Sequence, residues 1–226
     1  MKKNIVIACS KDWFFRDTQV KKFIKQKNIF ILKKKKKLNI KNLNKINPKY
    51  IFFPHWGYKV EDNILENFKC ICFHTAPLPF GRGGSPIQNL IKLGFKKSTV
   101  LAIKMEKILD SGPIYLKEKV DLSGNLSEIF ERISKKIFIM IRKFLKRKYI
   151  PKKQLGKIKN FKRLKEKNNS INFKSDLNII YDQIRMLDDT SYPKAFIRKG
   201  EYKVQFFNAK IKKKNIFLNA KISKEY

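Results

Sequence analysis

The stretch CICFHTAPLPFGRGGSP, residues 70–86, changes character at His74. Its first four residues form a short apolar run that is typical of a buried β-strand. Three prolines and three glycines then follow His74 within the next twelve residues. Because proline fixes φ and glycine permits positive φ, this pattern predicts a rigid, irregular loop. A helix is predicted over 85–94, since serine, proline and glycine stand where a helix prefers its N-cap, its first residue and its stop.

The same order of strand, loop and helix recurs along most of the chain. Apolar runs predict strands at 4–9, 28–32, 50–53, 70–73, 98–105 and 113–120. Helical periodicity predicts helices at 14–26, at 62–68 with Asp62 as its cap, and at 127–149. One stripe of the last helix carries Ile129, Ile133, Ile137, Ile141, Phe144 and Leu145. Alternating strands and helices predict an α/β fold whose mainly parallel sheet is covered by helices on both faces.

The composition changes after residue 150 and predicts a division of the chain. Residues 151–170 are charged and weakly patterned, so they are interpreted as a linker between a main domain at 1–150 and a small α+β unit at 171–226. In that unit we expect a helix near 175–187 and strands at 195–198, 202–207 and 215–218.

The 226 residues carry a formal net charge of +36. Such a balance favours nucleic acid or another anionic partner. However, only eight of the 54 basic residues are arginine, which phosphate-reading proteins prefer for its planar fork, and the lysines are spread along the whole chain. The charge is therefore interpreted mainly as a solvated surface with nonspecific affinity for anions.

Three cysteines, Cys9, Cys70 and Cys72, give neither a disulfide framework nor a second pair that could complete a zinc site, so no metal is expected. The start of the chain has no apolar run long enough for a signal segment, and no stretch approaches the length of a membrane span. These features predict a cytoplasmic protein without membrane association. They predict nothing about its oligomeric state.

Two segments carry candidate site residues. His74 follows a predicted strand, and Asp110 ends another strand-like run in KILDSGP (107–113). Ligands of parallel sheets gather beyond the carboxyl ends of strands, and a carboxylate that reaches a histidine fixes the tautomer of its ring. The alternatives are a Pro/Gly-rich turn capped by His74 and an ordinary Asp-Ser-Gly turn at Asp110.

Together, H-x-x-x-L-P-x-x-R-G-x-x-P and the downstream L-D-x-G-P resemble the formyltransferase family that uses 10-formyltetrahydrofolate. That family includes methionyl-tRNA formyltransferases, glycinamide ribonucleotide transformylases and sugar N-formyltransferases. The resemblance implies a Rossmann-like catalytic domain at 1–150 and a substrate-side subdomain at 171–226. It also implies transfer of a formyl group from N10 of the folate co-substrate to a primary amine. His74 would donate to the developing oxyanion and shuttle a proton, and Asp110 would orient His74.

One position departs from the family pattern. The family places an asparagine two residues before the histidine, and this chain has Cys72 there. A thiol is a weak hydrogen-bond donor, and loss of an oxyanion donor typically costs about 10²–10³ in rate. The candidates for the missing donor are His55, Gln88 and the backbone N–H groups of the glycine loop. We expect His55, for which the alternative is a simple loop histidine.

The resemblance also implies a folate pocket. The expected lining is His55, Trp56, Tyr58, Arg82, Gly83 and Ile108. For Trp56 and Tyr58, which would flank the pterin, core packing is the alternative.

The acceptor is inferred by elimination among the family's substrates. The segment ACSKDWFF (8–15) lacks the glycines of a ribonucleotide phosphate loop, and residues 171–226 are too few for the barrel-like domain of the tRNA enzymes. An amino sugar, nucleotide-linked, is therefore the expected acceptor. Tyr192 and Phe196 could stack on it, with packing of the two rings in the core as the alternative. Two alternatives stay open: an aminoacyl-tRNA drawn by the positive charge, and a degenerate protein that binds folate or nucleotide without turnover.

Overall fold

The computed structural model describes residues 3–225. Its strands are β1 (Ile5–Cys9), β2 (Ile29–Leu32), β3 (Tyr50–His55), β4 (Cys70–His74), β5 (Phe80–Gly83), β6 (Lys97–Lys104), β7 (Ile114–Asp121), β8 (Lys159–Phe161), β9 (Ala195–Lys199), β10 (Tyr202–Lys212) and β11 (Asn215–Lys224). Its α-helices are α1 (Thr18–Phe23), α2 (Ile40–Ile46), α3 (Asp62–Asn67), α4 (Pro86–Lys92), α5 (Leu126–Lys146) and α6 (Leu177–Arg185).

Six strands form the central sheet in the order β2-β1-β3-β4-β6-β7. The first four of these run parallel, and β6 and β7 are each antiparallel to their neighbours. The predicted α/β fold with a mainly parallel sheet is therefore confirmed. Since β1, β3 and β4 are adjacent and parallel, the loops that leave their carboxyl ends meet at one edge.

Each face of the sheet has its own apolar layer, because successive strand residues point to opposite faces. Ile5, Ile7 and Cys9 of β1 belong to the cluster that α5 covers. Val6 and Ala8 belong to the cluster on the other face, which includes residues of α2 and α3. The continuous apolar run of β1 is thus explained by burial on both sides.

Helix α5 is the amphipathic helix that the isoleucine stripe predicts. It begins with a capping box in which the Asn125 side chain accepts from the Glu128 N–H and the Glu128 side chain accepts from the Asn125 N–H. Leu145 was expected on the buried stripe, but this prediction is wrong. It follows Phe144 by one residue, about 100° further around the helix, and borders a surface groove of about 390 Å³.

Two local predictions near the N-terminus also need correction. The helix expected over 14–26 is a 3₁₀ turn at Asp12–Arg16 followed by α1, because the Asp17 carboxylate accepts from the N–H groups of Gln19 and Val20 and starts a new helix there. Asp62 is the first residue of α3 rather than its cap, since the N-cap position is Glu61.

Residues 151–170, the expected linker, lie against the rest of the structure. Strand β8 pairs in parallel with β5, and Phe161 is buried in the main core. Beyond them, β9, β10 and β11 form an antiparallel sheet with α6 beside it. The last two strands extend further than predicted, to Lys212 and Lys224. The division into catalytic domain, linker and substrate-side subdomain stays a prediction.

A buried carboxylate fastens the C-terminal unit to the rest of the chain. Asp189 accepts from the Arg16 guanidinium at 2.5 and 3.2 Å and from the Ser127 hydroxyl at 2.8 Å. Burial by itself would raise the pKa of Asp189, but Arg16, Ser191 and Ser127 outweigh it and lower that pKa below the usual range. Asp189 is therefore ionised across the physiological range.

Within residues 3–225, no helix is both long and apolar enough to cross a membrane. The cytoplasmic location stays a prediction.

Replacing Asp189 with alanine tests this connection. We expect Asp189→Ala to lower the free energy of unfolding by about 3 kcal/mol, because several charge-assisted hydrogen bonds are lost together. The measurement is urea denaturation followed by circular dichroism. Glu131→Ala is the matched control, since it removes an exposed pair with Lys135 and should change stability by less than about 0.5 kcal/mol. Equal effects in the two variants would contradict the assignment.

Candidate functional site

Three parallel strands deliver polar side chains to one edge of the sheet. Phe53 of β3 pairs with Cys72 of β4, so His55 and His74 both lie two residues beyond this pair. Ser10, the residue after β1, donates its N–H to the His55 carbonyl at 2.8 Å. The two histidines of the chain therefore stand at the carboxyl edge, where ligands of such sheets bind.

The predicted pair of His74 and Asp110 is formed. His74 Nδ1 lies 3.5 Å from Asp110 Oδ2, and their side chains are only 6% and 8% exposed. The same oxygen accepts the Gly83 N–H at 2.9 Å. His74 Nε2 lies 2.7 Å from the Gly81 carbonyl. Since a carbonyl can only accept, Nε2 carries a hydrogen and Nδ1 faces the carboxylate.

The loop after β4 requires glycine because another segment packs against its backbone. Gly83 has a φ of +102°, and a Cβ built there would lie 2.5 Å from the Phe161 carbonyl oxygen of β8. Gly81 has a φ of +90°, and its Cβ would meet Ala76 and Phe161 at less than 3 Å. The glycines that predict an irregular loop are thus needed for close contact with a segment about 80 residues away.

Arg82 points to a residue that the sequence analysis missed. Its Nε and Nη2 donate to Gln154 Oε1 at 3.2 and 2.7 Å. The Gln154 amide nitrogen donates to the Asp110 and Gly112 carbonyls at 2.8 Å each. Nothing in the lysine-rich stretch around Gln154 marks it as special.

Cys72 occupies the position of the family's asparagine and is partly buried. It borders the small apolar cluster of Leu78, Leu101 and Ile103. Burial, and then the negative charge of Asp110, raise the pKa of the Cys72 thiol well above its ordinary value. It therefore stays protonated beside Asp110, and a thiol is a weak donor.

His55 is held by Ser10 at 3.3 Å between Nδ1 and Oγ, and its ring meets Trp13 edge-on with the centroids 6.1 Å apart. Burial, together with the charges of Lys11 and Arg163, lowers the pKa of His55 from 6.5 to about 4. His55 is therefore neutral near pH 7. Its role as a substitute donor stays a prediction.

The other expected folate-lining residues lie on two loops. Trp56 and Tyr58 follow β3, with ring centroids 5.4 Å apart, and Tyr58 is 49% exposed. The Trp56 indole N–H is buried without a hydrogen-bond partner among residues 3–225. Ile108 is 70% exposed on the loop between β6 and β7.

That loop is held against α3, which follows Trp56 and Tyr58 in the chain. Lys107 Nζ lies 2.8 Å from Glu66 Oε1 and 3.7 Å from Asp62 Oδ2. An unpaired N–H, an exposed ring and an exposed aliphatic side chain are groups that a flat heterocycle could use.

The two residues expected to stack on an acceptor differ in accessibility. Phe196 is only 2% exposed, as the core-packing alternative predicts, so its ring is not accessible to an acceptor. Tyr192 packs on Phe130 with a centroid distance of 5.5 Å and has the Lys11 ammonium 5.5 Å above its ring. It also lines a cavity of about 540 Å³ between α5 and β10.

Comparisons with known proteins place this site in a family. A family model of the C-terminal domain of methionyl-tRNA formyltransferase matches residues 166–223. A solved methionyl-tRNA formyltransferase from Clostridium thermocellum is 43% identical, with a TM-score of 0.93 over 98% of this chain and 99% of that one. Methionyl-tRNA formyltransferase from Malacoplasma penetrans is 29% identical over 202 residues. That alignment covers 85% of this chain and 63% of the relative, so the chain spans somewhat less than two thirds of this curated protein.

A sugar N-formyltransferase from a Shewanella species shares the fold, with a TM-score of 0.68 at 15% identity. At the identity and coverage found for the Clostridium protein, the chain belongs to the formyltransferase family that uses 10-formyltetrahydrofolate. The relatives that carry this assignment are methionyl-tRNA formyltransferases.

This finding overturns the expected acceptor. An amino sugar was favoured because residues 171–226 are too short for a barrel-like domain. The C-terminal domain of methionyl-tRNA formyltransferase nevertheless matches at 166–223, and the similar relatives are tRNA enzymes. The shortness of the C-terminal unit was therefore not evidence against tRNA, and the preference for a small-molecule partner was wrong.

Two glycines with positive φ give a matched test of the loop contact. Alanine at such a φ costs about 1–2 kcal/mol by itself. Gly94→Ala should cost no more than this, because nothing lies within 4 Å of its Cβ position. Gly83→Ala should cost clearly more, about 3 kcal/mol or above, because backbone must move. Thermal unfolding of both variants measures the difference, and equal losses would show that the contact with Phe161 does not constrain the loop.

Burial of neutral His55 predicts a pH dependence of stability. The unfolded chain binds a proton at His55 below pH 6.5, whereas the folded chain does so only near pH 4. Stability should therefore rise with pH between about 4 and 6.5, by at most about 3 kcal/mol from this group. His55→Gln should flatten the curve within that window. Parallel curves for wild type and variant, from urea denaturation at stepped pH, would refute the assignment.

Proposed function

We propose that this protein transfers a formyl group from 10-formyltetrahydrofolate to the amino group of an aminoacyl-tRNA, with methionyl-tRNA as the first candidate. The observation that carries the proposal is the pairing of His74 with Asp110 at the carboxyl edge of the sheet. The names of the similar relatives support the choice of acceptor.

The two side chains have complementary tasks. His74 carries a hydrogen on Nε2, which it can turn from the Gly81 carbonyl toward an oxygen that gains negative charge. Its Nδ1 lies beside the Asp110 carboxylate, which can take the proton that the attacking amine loses and pass it to Nδ1, while Nε2 gives its hydrogen to the nitrogen that leaves the formyl carbon. Asp110 is itself fixed by the Gly83 N–H, so the imidazole is oriented before substrate arrives.

The residues present fit a reduced folate. The buried Trp56 N–H has no hydrogen-bond partner within residues 3–225, and Tyr58 and Ile108 offer exposed ring and aliphatic surface on two loops. The folate would supply the formyl group. Arg82 and Gly83 would border it beside His74, and Trp56 and Tyr58 would hold its ring system.

The surface charge supports a polyanionic acceptor. The chain has 46 lysines, the difference between its 54 basic residues and eight arginines. Lysine binds phosphates as a point charge, which suits a substrate held by its backbone rather than read base by base. Lys11 carries such a charge close enough to His55 to contribute to the lowering of its pKa.

A direct assay tests the proposal. Purified protein with 10-formyltetrahydrofolate and methionyl-tRNA should yield formylmethionyl-tRNA, separated by acid gel. His74→Gln should lower kcat by about 10²–10⁴, because the side chain can no longer carry a proton. Glu131→Ala, which alters only an exposed ion pair, should keep full activity. An inactive wild type, or full activity of His74→Gln, would reject the proposal.

Cys72 favours one second candidate, a protein that binds folate and tRNA without turnover. If the weak thiol donor has crippled the site, Cys72→Asn should raise kcat by about 10²–10³, the value of one oxyanion donor. An unchanged kcat would show that another group already serves the oxygen. Folate binding measured by calorimetry in both proteins separates loss of chemistry from loss of the pocket.

A further inference from the structure

Gln154 joins the two segments that form the candidate site. Its Oε1 accepts two hydrogen bonds from Arg82 in β5, and its Nε2 donates to two carbonyls in the loop after β6. Since guanidinium groups only donate and carbonyls only accept, the orientation of this amide is fixed by its partners.

The loop that Gln154 holds has an unusual backbone. Asp110 has a φ of +54°, in the left-handed region that non-glycine residues rarely adopt. A Cβ at Gly112 would lie 1.8 Å from the Lys104 carbonyl oxygen, so this turn is pressed against β6. A strained conformation persists only where its surroundings hold it, and Gln154 binds the carbonyls on both sides of Ser111.

The position of the Asp110 carboxylate depends on this turn. Asp110 Oδ2 must reach both the Gly83 N–H and His74 Nδ1. A shift of the backbone at Asp110 would move the carboxylate away from the imidazole, and misplacement by about 1 Å is enough to cost about 10² in rate.

We propose that Gln154 is a positioning residue for the His74–Asp110 pair, acting through the backbone of the Asp110 turn rather than through Arg82. The kinetic test of this inference rests on the proposed formyl transfer. Its structural test, which uses the NMR signals of His74, does not depend on that function.

Two substitutions distinguish the contact of Gln154 with Arg82 from its contacts with the Asp110 turn. Gln154→Glu keeps the acceptor for Arg82 and strengthens it, but it places a carboxylate against the carbonyls of Asp110 and Gly112. Gln154→Ala removes the hydrogen bonds with Arg82 and those with the two carbonyls. If Gln154 acts through the turn, Gln154→Glu should lower kcat at least as much as Gln154→Ala, by about 10- to 100-fold, with KM for methionyl-tRNA within threefold. If it acts through Arg82, Gln154→Glu should keep wild-type kcat, which would overturn the proposal.

Gln183→Glu is the matched control. It removes an amide donor to the Ser170 carbonyl, 2.7 Å away and outside the site, and should leave kcat unchanged. Thermal unfolding of all variants shows whether they are folded at the assay temperature. A fall in kcat for Gln183→Glu equal to that of Gln154→Glu would reduce the effect to general destabilisation and reject the proposal.

The chain contains only two histidines, so a second readout needs no catalysis. In protein labelled with ¹⁵N-histidine, Gln154→Glu should shift the ring signals of His74 and leave those of His55 in place. Unchanged His74 signals would reject the proposal even if activity fell. If the wild type proved inactive on methionyl-tRNA while the His74 signals shifted, the formyl-transfer function would fail and the positioning role would stand.

Discussion

The candidate site depends on one buried carboxylate. Asp110 Oδ2 accepts from the Gly83 N–H and lies beside His74, so a single oxygen ties together the end of β4, the glycine loop and the turn after β6. A carboxylate this buried is stable only with charged or hydrogen-bonded partners. Breaking these contacts would leave the Asp110 carboxylate buried without a partner. Asp110 therefore stays in place and holds the His74 imidazole beside it.

Two buried acidic residues, Asp110 and Asp189, connect segments that are far apart in the chain. The protein has 18 acidic residues against 54 basic ones, so most lysines have no carboxylate to pair with and remain at the surface. Asp110 joins the loops of the site, and Asp189 joins the C-terminal unit to Arg16 and α5. A strongly basic protein can thus be held together by acids that are scarce but buried, while its surplus charge stays available for an anionic partner.

The length of the C-terminal unit was not sufficient to identify the acceptor. Residues 171–226 are too few for a barrel-like C-terminal domain. The structure shows three antiparallel strands with a helix beside them, and the family match at 166–223 covers this sheet up to Ser223. Length excluded one architecture for the C-terminal unit but said nothing about the substrate that this smaller unit serves.

The sequence by itself determined the six strands of the central sheet, the amphipathic α5, and the identities of His74 and Asp110. Apolar runs, helical periodicity and residue types at fixed spacing are local signals, and each can be seen within a few dozen residues. Only the tertiary structure decided which distant residues these side chains contact. Ser85 occupies the N-cap position of α4 as expected, but its φ is +49° and its hydroxyl accepts from the Leu164 N–H rather than from the helix. Gln154, in a stretch interpreted as a linker, reaches Arg82 across 72 positions of the chain. Such contacts depend on how distant segments pack, and patterns of neighbouring residues do not predict that packing.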